Sequence, residues 1–172
     1  MKQNNNMYKP KAKVFIDGAN VFYTQKHLRW NIDWKKMLKQ LSEKFNVIEI
    51  RYYTGIKNTD EKMKKFLHRL RKIGIKTMTK PLKIIKGKQD NVLFKSNCDV
   101  EMAVDILLEV NNFEVLILFS GDSDFVHLIK ILQKQFQKKV IVYSSRRTIS
   151  WESKLATNKY FFLEDIKDKI EK

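Results

Sequence analysis

The sequence predicts an α/β protein, a three-layer α/β/α sandwich around a mainly parallel sheet of five or six strands. Short apolar segments rich in β-branched residues alternate along the chain with segments whose apolar residues recur at helical spacing. The run Leu-Ile-Leu-Phe at 116–119 contains no polar residue, as is typical of a strand buried on both faces. At 172 residues the chain suits one domain. We expect a flexible lead at 1–10 and a single domain at 11–172.

The individual elements follow from local patterns. Apolar and β-branched runs predict strands at 13–16, 47–54, 75–79, 116–119, 140–143 and 160–163. Helical spacing predicts helices at 34–45, 60–73, 98–110 and 125–132, one carrying Val21, Phe22 and Leu28 on its apolar face, and one at the C-terminus. Asp33 and Thr59 are the expected N-caps of the second and third helices. Apolar runs at 82–85 and 92–94 flank the polar segment 86–91, which predicts a basic hairpin or flap.

Composition narrows the class of protein. The single cysteine, Cys98, excludes an internal disulfide framework and a multi-cysteine zinc site. No apolar run approaches the roughly 18 residues of a membrane span. The chain starts with polar residues and has no apolar signal core, so we expect a cytoplasmic protein without a membrane partner.

The charge is the strongest compositional signal. With 35 Lys and Arg against 19 Asp and Glu, the net charge is +16, which attracts polyanions. Nucleic acid is the first candidate partner and an anionic membrane surface the second. The alternative is a lysine-rich bias across the whole source genome. Against that alternative, the segment Lys57–Lys95 alone contains 13 basic and three acidic residues, a clustering typical of a binding surface.

Acidic residues follow two of the predicted strands. The first strand runs into Asp17-Gly18-Ala19-Asn20, and the central strand runs into Ser120-Gly121-Asp122-Ser123-Asp124. Ligands of open α/β sheets bind beyond the carboxyl ends of the strands, and carboxylates there suit a hard divalent cation. The alternative is that Asp122 and Asp124 only cap the next helix.

A third acid comes from a helix. Asp99 lies at the N-terminal end of the apolar stripe of the helix at 98–110, where an acid is costly without a cation or hydrogen-bond donors. Glu101, Asp105 and Glu109 share a different face of that helix. A solvated acidic face is the interpretation we favour for Glu109, whereas Asp105 stays open.

These motifs together resemble the NYN domain of the PIN-like nuclease superfamily. The resemblance is carried by Asp17-Gly18-Ala19-Asn20, then Lys95 and Asp99 with Ala103-Val104-Asp105, then Ser120-Gly121-Asp122-Ser123-Asp124-Phe125, and it covers roughly residues 12–166. Where the family commonly has a glycine and a small apolar residue before the middle aspartate, this chain has Ser96-Asn97-Cys98.

The resemblance implies a PIN-like fold and a metal-dependent nuclease that acts on RNA, with endonucleolytic cleavage as the expected mode. It implies that Asp17, Asp99, Asp122 and Asp124 form the acidic site and ligate Mg²⁺ or Mn²⁺. Asn20 would support the first carboxylate or the scissile phosphate, and Asp105 matches a further family acid. Clustered carboxylates repel one another, and divalent cations relieve that repulsion and activate water.

Several basic residues are candidate RNA ligands because they lie in the predicted hairpin or follow a predicted strand. They are Lys86, Lys88, Lys95, Arg146 and Arg147. RNA, single-stranded or structured, is the expected partner, and a homodimer stays open. Trp151 is a weaker candidate for stacking a base, whereas Trp30 and Trp34 are expected to pack in the core.

Two other functions compete with the ribonuclease. One is a catalytically inactive RNA-binding or scaffold module that keeps the acids for folding. The other is a metal-dependent phosphatase of small substrates, which a net charge of +16 disfavours because a small substrate needs far less charge.

Overall fold

A parallel β-sheet organises the chain in the computed structural model, which describes residues 8–86, 92–95 and 97–172, and at 83–86 and 92–95 describes the backbone alone. The strands are β1 (Lys11–Asp17), β2 (Asn46–Ile56), β3 (Lys76–Pro81), β4 (Lys83–Lys86), β5 (Val92–Lys95), β6 (Val115–Phe119), β7 (Lys139–Ser144) and β8 (Lys159–Phe162). Six of them form one sheet in the order β3-β2-β1-β6-β7-β8, and every neighbouring pair is parallel. The predicted α/β class with a parallel sheet is confirmed.

Helices cover both faces of this sheet. They are α1 (Gly18–Leu28), α2 (Trp34–Ser42), α3 (Glu61–Lys72), α4 (Asp99–Leu108), α5 (Val126–Lys134), α6 (Trp151–Ala156) and α7 (Lys167–Ile170). Helices α1, α2, α3 and α7 pack on one face, and α4 and α5 pack on the other. This gives the three predicted layers.

Two hydrophobic cores lie between the layers, one on each face of the sheet, because alternate residues of each strand point to opposite faces. On β1, Val14 and Ile16 belong to the core beneath α1, α2 and α3, whereas Phe15 belongs to the core beneath α4 and α5. All five residues of β6 are buried, as its uninterrupted apolar sequence predicts. Trp30 and Trp34 lie in the first core, as expected.

Strands β4 and β5 pair antiparallel, which confirms the predicted hairpin, although its tip at 87–91 lies outside the described residues.

Two local expectations are wrong. The N-cap of α3 is Asp60 instead of Thr59, and its side chain accepts a hydrogen bond from the Met63 backbone N–H at 2.9 Å. Phe22 is 56% exposed and does not belong to the apolar face of α1.

None of the described helices combines the length and the apolar character that a membrane span requires.

Candidate metal centre at the carboxyl edge of the sheet

Asp17 ends β1 and serves as the N-cap of α1. Its Oδ1 accepts hydrogen bonds from the backbone N–H groups of Ala19 at 3.1 Å and Asn20 at 3.0 Å. Its Oδ2 accepts a hydrogen bond from Ser120 Oγ at 3.1 Å. Burial raises the pKa of Asp17, the three hydrogen bonds oppose that rise, and the charge of Asp122 adds to it. The carboxylate is therefore fixed in orientation and faces another negative charge.

The register of the sheet explains why the two acidic turns meet. Strands β1 and β6 are neighbours, and Ile16 pairs with Phe119, so Asp17 and Ser120 leave the sheet side by side. Ser120 Oγ also accepts a hydrogen bond from the Asp122 backbone N–H at 3.2 Å. One hydroxyl thus links the carboxylate after β1 to the turn after β6.

Gly121 lets another segment pack directly on this turn. A Cβ at Gly121 would lie 2.6 Å from Ile149 Cα and closer still to the carbonyl oxygen of Thr148, so no larger residue fits without movement of the backbone. The Gly121 N–H donates to Asn20 Oδ1 at 3.1 Å. Asn20 therefore ties the start of α1 to the turn that carries the acids.

Three carboxylates gather beyond this turn. One oxygen from each of Asp99, Asp122 and Asp124 lies within 4.8 Å of the other two. Asp99 is the first residue of α4, and its backbone N–H donates to Asn97 Oδ1 at 3.1 Å. Asp122 is the N-cap of the 3-10 turn Ser123–Phe125, and its Oδ1 accepts from the Asp124 N–H at 3.0 Å. Asp122 therefore caps the next turn and also belongs to the carboxylate cluster.

The electrostatics of the cluster favour a cation. Burial raises the pKa of Asp99 from its ordinary 3.8 to about 6, with further contributions from the charges of Asp17, Asp122 and Asp124, whereas the hydrogen bond from Asn97 opposes the shift. One oxygen from each of the three carboxylates is near enough to the others for the set to hold a divalent cation. An all-carboxylate donor set with unrelieved repulsion fits Mg²⁺ or Mn²⁺.

Asp105 is placed differently from the other candidate acids. Its Oδ2 accepts a hydrogen bond from Tyr53 Oη at 2.6 Å and lies 3.2 Å from Arg51 Nη1. Among the described residues, neither Asp105 nor Asp17 joins the three carboxylates within 4.8 Å. The structure therefore engages Asp105 in an ion pair between α4 and β2.

Glu109 corrects the expectation of a solvated acidic face. Its carboxylate pairs with Lys13 of β1 and with Arg51 of β2, and its side chain is only 24% exposed. Glu49 adds a third carboxylate to the same group, with Arg51 Nε at 2.6 Å. We call Lys13, Glu49, Arg51, Asp105 and Glu109 the ion cluster. It lies where α4 packs on the sheet.

Of the five candidate RNA ligands, the structure describes the side chains of Arg146 and Arg147. Lys88 lies outside the described residues, and the side chains of Lys86 and Lys95 at the ends of the hairpin strands are outside the description. Arg146 stacks on Phe162, with its guanidinium carbon 4.2 Å from the ring centroid, and it pairs with Asp165.

Arg147 differs from Arg146 in its contacts. Its side chain is exposed, and it has no ion pair among the residues the structure describes. Trp151, at the start of α6, is 68% exposed.

The segment after β7 supports the site in a way that the sequence analysis missed. Thr148 Oγ1 lies 2.8 Å from Thr24 Oγ1 of α1. The Ser150 N–H donates to Gly121 O at 2.8 Å, and Ser153 Oγ donates to Asp122 O at 2.9 Å. Hydroxyl residues just after a strand end were the available signal, but such residues are common in turns and carry little information alone.

Known proteins with similar sequences identify the family of this chain. The model of the NYN domain matches residues 11–164. The chain belongs to the NYN domain family. This NYN domain is 31% identical over 163 residues to the Low amplitude and bright protein LabA of Synechococcus elongatus, which covers 92% of this chain and 87% of that protein. The resemblance noted in the sequence is thereby confirmed, and the family has a PIN-like nuclease fold.

A solved structure agrees on the fold. A protein of unknown function from Vibrio parahaemolyticus superposes with a TM-score of 0.80 at 26% identity, covering 96% of this chain and 98% of that one. The match therefore includes almost every element that positions the acidic turns.

Proposed function

We propose that this NYN domain is a metal-dependent ribonuclease that hydrolyses RNA phosphodiester bonds endonucleolytically. The observation that carries the proposal is the carboxylate cluster, in which Asp99, Asp122 and Asp124 come within 4.8 Å and like charges help raise the pKa of Asp99 to about 6. Repulsion between carboxylates destabilises the folded protein, so a cluster of this kind is a candidate functional site. The family and the net charge of +16 support RNA as the substrate.

Asp17, Asp99, Asp122 and Asp124 would hold Mg²⁺ or Mn²⁺. Although both oxygens of Asp17 accept hydrogen bonds, a carboxylate has about four lone-pair sites, so capacity for a cation remains. When bound, the metal supplies charge neutralisation at a phosphodiester and lowers the pKa of water.

The protein's own groups fix the positions of these ligands. Ser120 and the N-terminal turn of α1 orient Asp17, and Asn20 fixes the backbone of Gly121. We assign Asp105 to positioning α4 through Tyr53 and Arg51 instead of to the metal.

The test is cleavage of a circular single-stranded RNA, because only an endonuclease can linearise a substrate without ends. Wild type and Asp99→Asn are compared in Mg²⁺, in Mn²⁺ and in EDTA. We expect metal-dependent linearisation by the wild type and a loss of at least 100-fold in Asp99→Asn. Asp168→Asn is the matched control, because Asp168 is an exposed carboxylate with no ion pair among the described residues.

Other outcomes assign other functions. RNA that is bound but intact in every metal identifies the inactive RNA-binding or scaffold module. Metal-dependent hydrolysis of small phosphate esters with RNA left uncut identifies the phosphatase.

A further inference from the structure

The solvent face of α3 is basic along its whole length. All seven Lys, Arg and His side chains of the helix are exposed, and they are Lys62, Lys64, Lys65, His68, Arg69, Arg71 and Lys72. The apolar face of the helix is used in the core, where Leu67 and Leu70 are each 2% exposed. The helix therefore presents charge to solvent and packs its apolar face against the sheet.

Four of these residues form a continuous stripe. Lys62, Lys65, Arg69 and Lys72 are spaced by three, four and three residues, which places them along one flank of the helix. At 1.5 Å per residue the stripe is about 15 Å long. Among residues 8–86, 92–95 and 97–172, none of the four side chains has an ion pair or hydrogen bond. We call these four residues the basic stripe.

The other flank of α3 has partners. Lys64 pairs with Glu61 at 2.7 Å, and Arg71 Nη1 donates to Thr77 Oγ1 of β3 at 2.8 Å. Glu61 is the one acid within the helix, and Asp60 is turned inward as its N-cap. Glu61 also lies one helical turn from Lys65, but its carboxylate pairs with Lys64, so the basic stripe has no acidic partner among the described residues.

The row of four cations in the basic stripe matches a polyanion with regularly spaced charges. A duplex carries phosphates every ~3.4 Å along each strand, so a stripe of about 15 Å spans several phosphates. A membrane surface is a poorer match, because helices that bind lipid insert an apolar face, and here that face is buried beneath α3.

The basic stripe begins near the edge of the sheet that holds the acidic turns. Strand β2 pairs with β1 so that Tyr53 lies beside Asp17, and α3 begins shortly after β2 ends at Ile56. The N-terminal end of α3 therefore starts on the side of the sheet that holds the carboxylates, and the stripe runs away from it.

We propose that the basic stripe binds the phosphate backbone of nucleic acid at a site separate from the carboxylate cluster. It rests on the proposed function in taking RNA as the polyanion, but it concerns binding and not cleavage. The stripe fixes the substrate on the outer face of α3 and contributes no group to the chemistry.

The experiment measures binding of a labelled RNA duplex and a labelled single strand across a salt series, in EDTA and in the Asp99→Asn background so that no cleavage occurs. The test variant is Lys62→Gln, Lys65→Gln, Arg69→Gln and Lys72→Gln combined. Glutamine keeps helix propensity close to that of lysine and arginine, so α3 is retained. Because four phosphate contacts are lost, the negative slope of log K against log[salt] should become shallower by about 3 for single strands.

The matched control removes the same charge elsewhere. Lys35, Lys39, Lys130 and Lys134 are exposed on α2 and α5 and have no ion pair among the described residues, and their change to glutamine also lowers the net charge by four. We expect at least a tenfold loss of affinity at about 0.1 M salt in the stripe variant and less than a threefold loss in the control.

Equal losses in both variants would overturn the proposal, because they would reflect the overall charge and not a site. Loss of binding to phosphatidylserine vesicles with RNA binding unchanged would also overturn it, in favour of a membrane surface. Stripe-dependent binding in a protein that never cuts RNA supports the stripe and refutes the proposed function instead.

Discussion

Replacing Asp99 with asparagine is expected to stabilise the protein at neutral pH when no divalent cation is present. The reason is that the folded protein holds this carboxylate half-buried and close to Asp17, Asp122 and Asp124, which raises its pKa from 3.8 to about 6. A raised acid pKa means that ionisation opposes folding. The cost is absent below the unfolded value, grows as the pH rises from 3.8 to about 6, and is complete above that.

The size of the effect follows from the shift. About two pKa units correspond to about 3 kcal/mol, and solvent screening of a group that is only about half buried reduces this by about half. A gain of about 1.5 kcal/mol raises the melting temperature of a chain of this length by about 3–6 °C. The asparagine variant avoids the whole cost because it never ionises.

The assay is thermal denaturation at pH 8 and at pH 4.0 in EDTA, with Asp168→Asn as the control for removing one negative charge from a basic protein. The gain of Asp99→Asn should appear at pH 8 and vanish at pH 4.0. Adding Mg²⁺ or Mn²⁺ at about 100 times Kd should stabilise the wild type by about 2.7 kcal/mol and the variant much less. If Asp99→Asn melts at or below the control at pH 8 in EDTA, burial and repulsion at this carboxylate are refuted as its dominant environment.

Two further substitutions test the framework of the site. Gly121→Ala should cost about 2–3 kcal/mol in urea denaturation because its Cβ would press against Ile149 and the segment behind it, whereas Gly74→Ala, with φ +88° and open space, should cost only about 1 kcal/mol of backbone strain. Equal costs at the two glycines would contradict the packing argument. Arg51→Met should cost about 3 kcal/mol by leaving the carboxylates of the ion cluster short of a cation. Adding Glu109→Gln should recover part of that loss, and strictly additive costs would show that the two residues do not interact.

The fold could be predicted because its signals are local. The apolar run of β6 and the glycine turn after it are visible in five or six consecutive residues, and a parallel sheet then places its strand ends at one edge. That Asp99 and Asp122 approach one another was foreseeable from topology, whereas the 4.8 Å spread and the pKa of Asp99 were not. Both depend on how α4 sits against the turn after β6.

The errors at Glu109 and Phe22 have one physical cause, which is that periodicity identifies a shared helix face but not what lies opposite it. Glu109 shares a face with Asp105 and was expected in solvent, yet β1 and β2 bring Lys13 and Arg51 beneath it. Phe22 continued an apolar pattern on α1 but projects beyond the core. Such outcomes are decided by partners that are distant in sequence.

The order of the strands has a consequence for association between copies of the chain. Among the described residues the sheet ends at β3 and β8, and the end strands of a sheet are the ones that can pair with a strand of another molecule. Strand β3 carries Lys76, Lys80 and Pro81, and β8 is only four residues long and begins with Lys159. Charge, proline and shortness all oppose edge-to-edge growth of a sheet, so both margins are protected against aggregation by their own sequence.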